Sequence, residues 1–156
     1  DRVTLLDADV TDTAPTWTLV ANGDVDMGGE FDAAYMVTIN KLPVLSTPAQ
    51  ASIIEDASPN TVTGSLVASD PESDTLSYAV VGETAANNIY TVTGTYGTLT
   101  LDSTDGSYSY ALNNALSTVQ ALGASDSVTE SFNVQVSDSI STTIAQALKF
   151  NITGVN

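Results

Sequence analysis

Residues 131–137 read Ser-Phe-Asn-Val-Gln-Val-Ser and residues 148–153 read Leu-Lys-Phe-Asn-Ile-Thr, so in both segments apolar and polar side chains alternate without a break. A period of two is the side-chain repeat of a β-strand. Phe132, Val134 and Val136 therefore share one face, as do Leu148, Phe150 and Ile152, and the opposite faces are wet. Two half-apolar strands need further apolar faces to cover them. Segments 76–81, 89–92, 98–101 and 108–112 supply candidates, and Asp105-Gly106 between the last two is a hairpin signal. Only 114–122 looks helical, two turns at most, with Gly123 placed to cap it. Strands recurring at roughly eight-to-twelve-residue spacing predict an all-β sandwich.

Composition decides what such a sandwich can meet. Nineteen acids face only Arg2, Lys41 and Lys149, a formal charge of −16. That field repels phosphates and anionic lipid, so nucleic acid and membrane are not expected partners, whereas cations are attracted. With 42% hydrophobic residues the chain can still bury a core, so its carboxylates are either solvated or neutralised by bound metal. There is no cysteine and no histidine, which removes disulfides, thiol nucleophiles and the usual zinc ligands. No apolar stretch of about twenty residues is present and no basic–apolar signal peptide opens the chain. The opening has the character of a strand interior, as in an excised fragment whose export signal lies elsewhere in a larger parent.

An internal echo divides the 156 residues. Val37-Thr-Ile-Asn40 runs into Leu42-Pro-Val44, and the chain closes on Ile152-Thr-Gly-Val-Asn156, a related strand that also reaches an asparagine. A second echo pairs the acids before Trp17 with those of 70–74 before Tyr78, although acidic turns ahead of strands are common in any case. The expectation is a shortened or partial repeat with its linker over 1–42 and one complete repeat over 43–156.

From Tyr96 the sequence runs Tyr-Gly-Thr-Leu-Thr-Leu-Asp-Ser-Thr-Asp-Gly-Ser-Tyr-Ser-Tyr to residue 110. Val119-Gln-Ala-Leu122, Val128-Thr-Glu-Ser-Phe132 and Val134-Gln-Val-Ser-Asp138 follow in that order. This series, with the acidic first half from Glu55-Asp56 through Gly64 to Asp74, resembles the VCBS repeats of giant RTX-type bacterial adhesins over about residues 43–156. The resemblance implies an immunoglobulin/cadherin-like antiparallel β-sandwich with Greek-key connections. It also implies secretion or display on a bacterial cell surface, and calcium (Ca2+) held where a glutamate near the first strand, an acidic turn and a late aspartate converge. The matching positions are Glu55, Asp70, Glu72 and Asp138, with Asn40 or Asn156 as linker oxygens. The linker itself is Asn40-Lys-Leu-Pro43, one carboxylate short of the family's usual Asn-Asp-Ala-Pro.

The residues add their own weight to a metal site. Calcium takes six to eight oxygens, and carboxylates on turns between strands supply them. Asp70, Glu72 and Asp74 alternate, which lets two of them face one ion as the backbone turns; a solvated acidic turn is the plainer alternative. Asp7, Asp9 and Asp12 form a second candidate of the same two-way kind. Asp24, Asp26, Glu30 and Asp32 surround Gly28-Gly29 and read as a loop before they read as a metal site. Asp102 and Asp105 are what a tight turn demands. Tyr78, Tyr108 and Tyr110 read as cross-strand packing, and the pairs Thr91/Thr93 and Thr98/Thr100 as ordinary strand threonines.

The function expected from this reading is mechanical and non-enzymatic. A monomeric module would be one link of an adhesin's extender arm, its partners the neighbouring repeats of the same parent chain, its junctions stiffened by calcium. The alternative is a ligand-binding module for a glycan or host protein, with Trp17 and the 22–33 loop as its surface. A two-carboxylate glycosidase, which needs no histidine, is the third and weakest reading.

Overall fold

A computed structural model describes residues 40–156 throughout and, ahead of them, the backbone of four strands. The chain divides into two compact units, Asp1–Lys41 and Leu42–Asn156. The first contains β1 (Arg2–Leu6), β2 (Trp17–Leu19), β3 (Val25–Met27) and β4 (Met36–Asn40). β1 pairs antiparallel with β4, Arg2 opposite Asn40, and β2 pairs antiparallel with β3. The candidate ligands Asp7, Asp9 and Asp12, the Trp17 side chain and most of the 22–33 loop lie outside the described residues.

The second unit is a sandwich. In chain order its elements are β5 (Val44–Leu45), β6 (Ala51–Ile54), β7 (Thr61–Ser65), β8 (Ala68–Ser69), β9 (Ser77–Val80), β10 (Ile89–Thr93), β11 (Gly97–Asp102) and β12 (Ser107–Leu112). The single-turn helix α1 (Ser117–Gln120) follows, then β13 (Ser127–Ser137) and β14 (Gln146–Thr153). One sheet has the order β10-β11-β12-β7, the other β6-β14-β13-β9, and β5 pairs with β8 in a short ribbon. Every pairing is antiparallel except β6 with β14, which is parallel, Ala51 opposite Phe150 through Ile54 opposite Thr153. The all-β antiparallel sandwich expected from the sequence is the fold observed, with this one parallel pair added to it.

The period-two segments become the walls of the core. Phe132, Val134 and Val136 of β13 and Leu148, Phe150 and Ile152 of β14 are buried, facing Leu99, Leu101, Tyr110 and Leu112 of the opposite sheet. The Tyr110 ring stacks on Phe150, centroids 4.2 Å apart and planes 13° from parallel, and Phe132 meets both at 6.1 Å. Aromatic pairs of this kind add about 1 kcal/mol beyond the area they bury. On the outer face of the first sheet the register sets Thr91 opposite Thr100 and Thr93 opposite Thr98, a wet hydroxyl-bearing surface.

One acid breaks the apolar inner face of β13. Glu130 is 6% exposed and accepts hydrogen bonds from the Tyr110 hydroxyl (2.6 Å), the Tyr96 amide (3.1 Å) and the Thr95 amide. It thereby ties the β10–β11 turn to the other sheet. Gly94 is required beside it, because a Cβ there would collide with the carboxylate.

Elsewhere the turns follow their local chemistry. Asp102 accepts from the Thr104 amide and Asp105 from the Ser107 amide, each at 2.8 Å, so both serve as turn acceptors. The helix is half the expected length. Leu116 is extended and offers no side-chain cap, and Asn113 folds 113–115 into a turn by accepting from the Ala115 amide. Gly123 does not cap it either: the C-cap is Ala121, and the Gly123 amide donates to Asp126. Among the described residues no helix is long and apolar enough to cross a membrane.

Replacing Glu130 by alanine strands the buried Tyr110 hydroxyl and takes the acceptor from two part-buried amides, so urea unfolding of Glu130→Ala is expected to show a loss of about 2 kcal/mol, and of Tyr110→Phe about 1 kcal/mol. Burial first, then the bond to Glu130, push the Tyr110 phenol far above its ordinary range. The folded phenol stays protonated where the unfolded one, with a pKa of about 10, ionises, so its contribution is complete below about pH 10 and lost above it. Stability profiles should show that alkaline decline in the wild type and a shallower one in Tyr110→Phe.

Candidate metal centre

Two turns at one pole of the sandwich bring three aspartates together. After β8 the chain enters Asp70-Pro71-Glu72-Ser73-Asp74. Pro71 fixes its own φ, and Asp70 Oδ1 accepts from the amides of Glu72 (2.8 Å) and Asp74 (3.0 Å). The Ser73 amide donates to the Asp70 carbonyl at 3.2 Å, and Ser73 itself takes a left-handed φ of 66°. The segment is thus curled, not extended, and the curl carries Asp74 back beside Asp70.

Asp138 arrives from the other direction, as the residue immediately after β13. It is 2% exposed, and its Oδ1 accepts from the amides of Ile140 (2.8 Å) and Ser141 (2.5 Å), with Ser139 at φ 77° closing the turn. Carboxylate oxygens of Asp70, Asp74 and Asp138 all lie within 4.8 Å of one another. A cleft of about 410 Å³ lined by Asp74, Leu76, Ser77, Asp138 and Ile140 opens next to them.

Electrostatics make this arrangement unfavourable by itself. At an effective dielectric near 20, two unit charges at this separation repel by about 3 kcal/mol, and by less where the exposed Asp74 is one of the pair. Asp70 adds a second difficulty: its Oδ2 is buried and has no hydrogen-bond partner. A buried anionic oxygen without a donor is costly, and a hard cation is the partner that its chemistry asks for. The donor set, carboxylate oxygens on two turns with no nitrogen or sulfur among them, suits calcium or magnesium and not zinc or copper.

The remaining expected ligands are placed elsewhere. Glu72 gives its backbone amide to the turn, and its carboxylate is not among the three that gather. Asn40 lies in the first unit and donates its side-chain amide to the Lys41 carbonyl at 3.2 Å. Glu55 and Asn156 sit at the opposite pole, so the convergence of Glu55 with Asp70, Glu72 and Asp138 is corrected. Glu55 follows Ile54, which pairs with Thr153, which in turn belongs to a β14 whose Thr153 faces Ser127. Asp138 follows Ser137 at the other end of the eleven-residue β13, roughly 34 Å away at the strand rise.

Two further residues have clear structural roles that the sequence reading does not assign. Glu130 carries a signal, since it shares the parity of Phe132, Val134 and Val136 and so has to point inward. Gln120, which donates to Glu55 at 3.1 Å, carries none, because that contact spans 65 positions.

No curated protein matches the chain. Among solved structures it is similar to the crystal structure of the titin M3 domain, with 11% identity, 73% of this chain and 97% of that chain covered, and a TM-score of 0.32. Residues 40–154 match the family model of the bacterial cadherin-like domain, in keeping with the sandwich they form. The chain belongs to the bacterial cadherin-like domain family.

Proposed function

We propose that residues 42–156 form a calcium-binding extender module of a large secreted or surface-anchored bacterial adhesin, of the kind built from VCBS-type repeats in RTX adhesins. The observation that carries this reading is the buried, partnerless Asp70 Oδ2 in a group of three carboxylates at the pole where the chain enters the sandwich. Asp70, Asp74 and Asp138 would hold the ion. Calcium would supply charge neutralisation and fix the 70–74 and 138–141 turns with respect to each other. Three aspartates do not fill a shell of six to eight oxygens, and neighbouring repeats of the parent chain are the natural source of the rest. The role is mechanical, with no catalysis assigned to the acids.

Metal that binds the folded state alone stabilises it by mass action, about 2.7 kcal/mol at a hundredfold excess over Kd. For a unit of this size that is an upward shift of roughly 10 °C in thermal unfolding. Melting the chain with excess EDTA, with millimolar calcium and with millimolar magnesium is expected to show this shift with calcium and much less with magnesium. An unchanged melt in calcium would sink the reading.

Asp74→Asn gives a sharper test, because no hydrogen bond of the fold runs through the Asp74 carboxylate among those described. Removing one of three like charges should raise the melting temperature slightly in EDTA while shrinking the calcium-dependent gain. A variant that moves both quantities in the same direction would count against a shared ion.

A further inference from the structure

The sheet β10-β11-β12-β7 ends on β10, and among the described residues no strand lies beyond it. Its ladder decides which backbone groups it leaves open. The Gly94 amide donates to the Gly97 carbonyl and the Ser103 amide to the Asn88 carbonyl, each at 2.8 Å, in the register that sets Tyr90 opposite Leu101 and Val92 opposite Leu99. Along an antiparallel pair, residues alternate between bonding to the neighbouring strand and pointing away from it. Tyr90 and Val92 therefore bond to β11, while Ile89, Thr91 and Thr93 turn their N–H and C=O groups to the edge.

Ile89 is closed off. It exchanges both bonds with Ala86, at 2.9 and 3.0 Å, across a two-residue turn in which Asn87 and Asn88 have positive φ. Among the described residues no backbone hydrogen bond covers Thr91 or Thr93 on that side.

This edge lacks the devices that keep sheets apart. From Thr84 to Leu101 there is no charged residue, and β10 contains no proline, no glycine and no bulge. The other edges are poorer templates. On β9 the Tyr78 amide donates to the Ser103 carbonyl at 2.9 Å and the Val80 carbonyl accepts from the Glu83 amide at 3.2 Å, so its outward groups are partly taken. β7 carries Gly64 in its interior, which weakens a strand.

Charge limits what can occupy the edge. Each copy of the chain carries a formal −16, so two copies can approach closely only along an uncharged strip. β10 is such a strip, and it is complementary to itself. A second β10 laid antiparallel about a two-fold axis at Val92 sets Thr91 opposite Thr93 and Thr93 opposite Thr91, and their outward groups then bond to each other. Val92 meets its own copy, and Tyr90 lies across from Gly94, which has no side chain to oppose the ring. The ladder stops at Ile89, where Ala86 already stands.

We infer that the β10 edge is a self-association site, at which a second copy of this chain adds its own β10 and the two four-stranded sheets become continuous. The contact is short and the acidic copies repel, so it forms at high concentration and at an ionic strength that screens the charges. It needs no metal and stands apart from the calcium reading.

The test uses the full chain in EDTA and about 1 M NaCl, where the screening length is about 3 Å. Sedimentation equilibrium is expected to pass from monomer at micromolar to dimer at millimolar concentration. Hydrogen exchange at the Thr91 and Thr93 amides should slow by roughly tenfold over the same range. Thr91→Pro removes one outward donor and no bond of the β10–β11 ladder, so it should leave the chain folded and monomeric. The chain has no cysteine of its own. In Val92→Cys the two thiols meet across the axis at a Cα separation of about 4.5 Å, within disulfide range. Oxidation should then give a covalent dimer much faster than in Ser131→Cys, a control on the other sheet. A chain that stays monomeric at millimolar concentration overturns the inference. So does a dimer that Thr91→Pro does not weaken, or in which Val92→Cys links no faster than Ser131→Cys. Should Thr91→Pro not fold, the cysteine comparison decides alone.

Discussion

The stack of Tyr110 on Phe150 joins the two sheets at the centre of the sandwich, and most of what surrounds it is arranged around that contact. Tyr110 stands on a strand of one sheet and Phe150 on a strand of the other, with Phe132 leaning on both. The phenol brings a hydroxyl into a dry interior, where it must find an acceptor. Glu130 is that acceptor, and its carboxylate takes two backbone amides of the β10–β11 turn as well. Apolar packing and a small polar network thus specify the same registry of the sheets.

The acids of the sandwich named above divide by what meets them. Glu130 and Glu55 are buried against donors, and each organises a stretch of backbone distant in sequence. Asp102, Asp105 and Asp126 accept from nearby amides and shape turns. Asp70, Asp74 and Asp138 differ, since they are gathered on each other while one buried oxygen goes without a donor. Among the described residues, then, some acids serve the fold, and a small group has an arrangement that the fold alone does not justify.

What could be read from the sequence was what local periodicity encodes. The inward faces of β13 and β14 follow from alternation over a few residues, and the hairpin at Asp105-Gly106 from its turn chemistry. The parallel pairing of β6 with β14 could not be read, because its partners lie about a hundred positions apart and nothing in Ala51–Ile54 names Phe150 as a neighbour. The same limit governs the acids. Asp70 and Asp74 are near each other in sequence and gather while Glu72 between them does not join them, and the separation of Glu55 from Asp138 emerges only when the strand register is known. The helix shrank because Leu116 gives it no cap, a matter of φ and ψ that composition does not announce.

The parallel pair has a consequence for tension. β6 enters the sandwich near its beginning and β14 closes it, side by side and running the same way. A pull on the start of β6 and the end of β14 draws the two strands past each other along their length. Every hydrogen bond between Ala51 and Ile54 on one side and Phe150 and Thr153 on the other is then strained at once, in shear. Antiparallel neighbours pulled from the same end would separate bond by bond, like a zip. Among the described strands, the pair that departs from the antiparallel rule is also the one whose geometry shares an applied load.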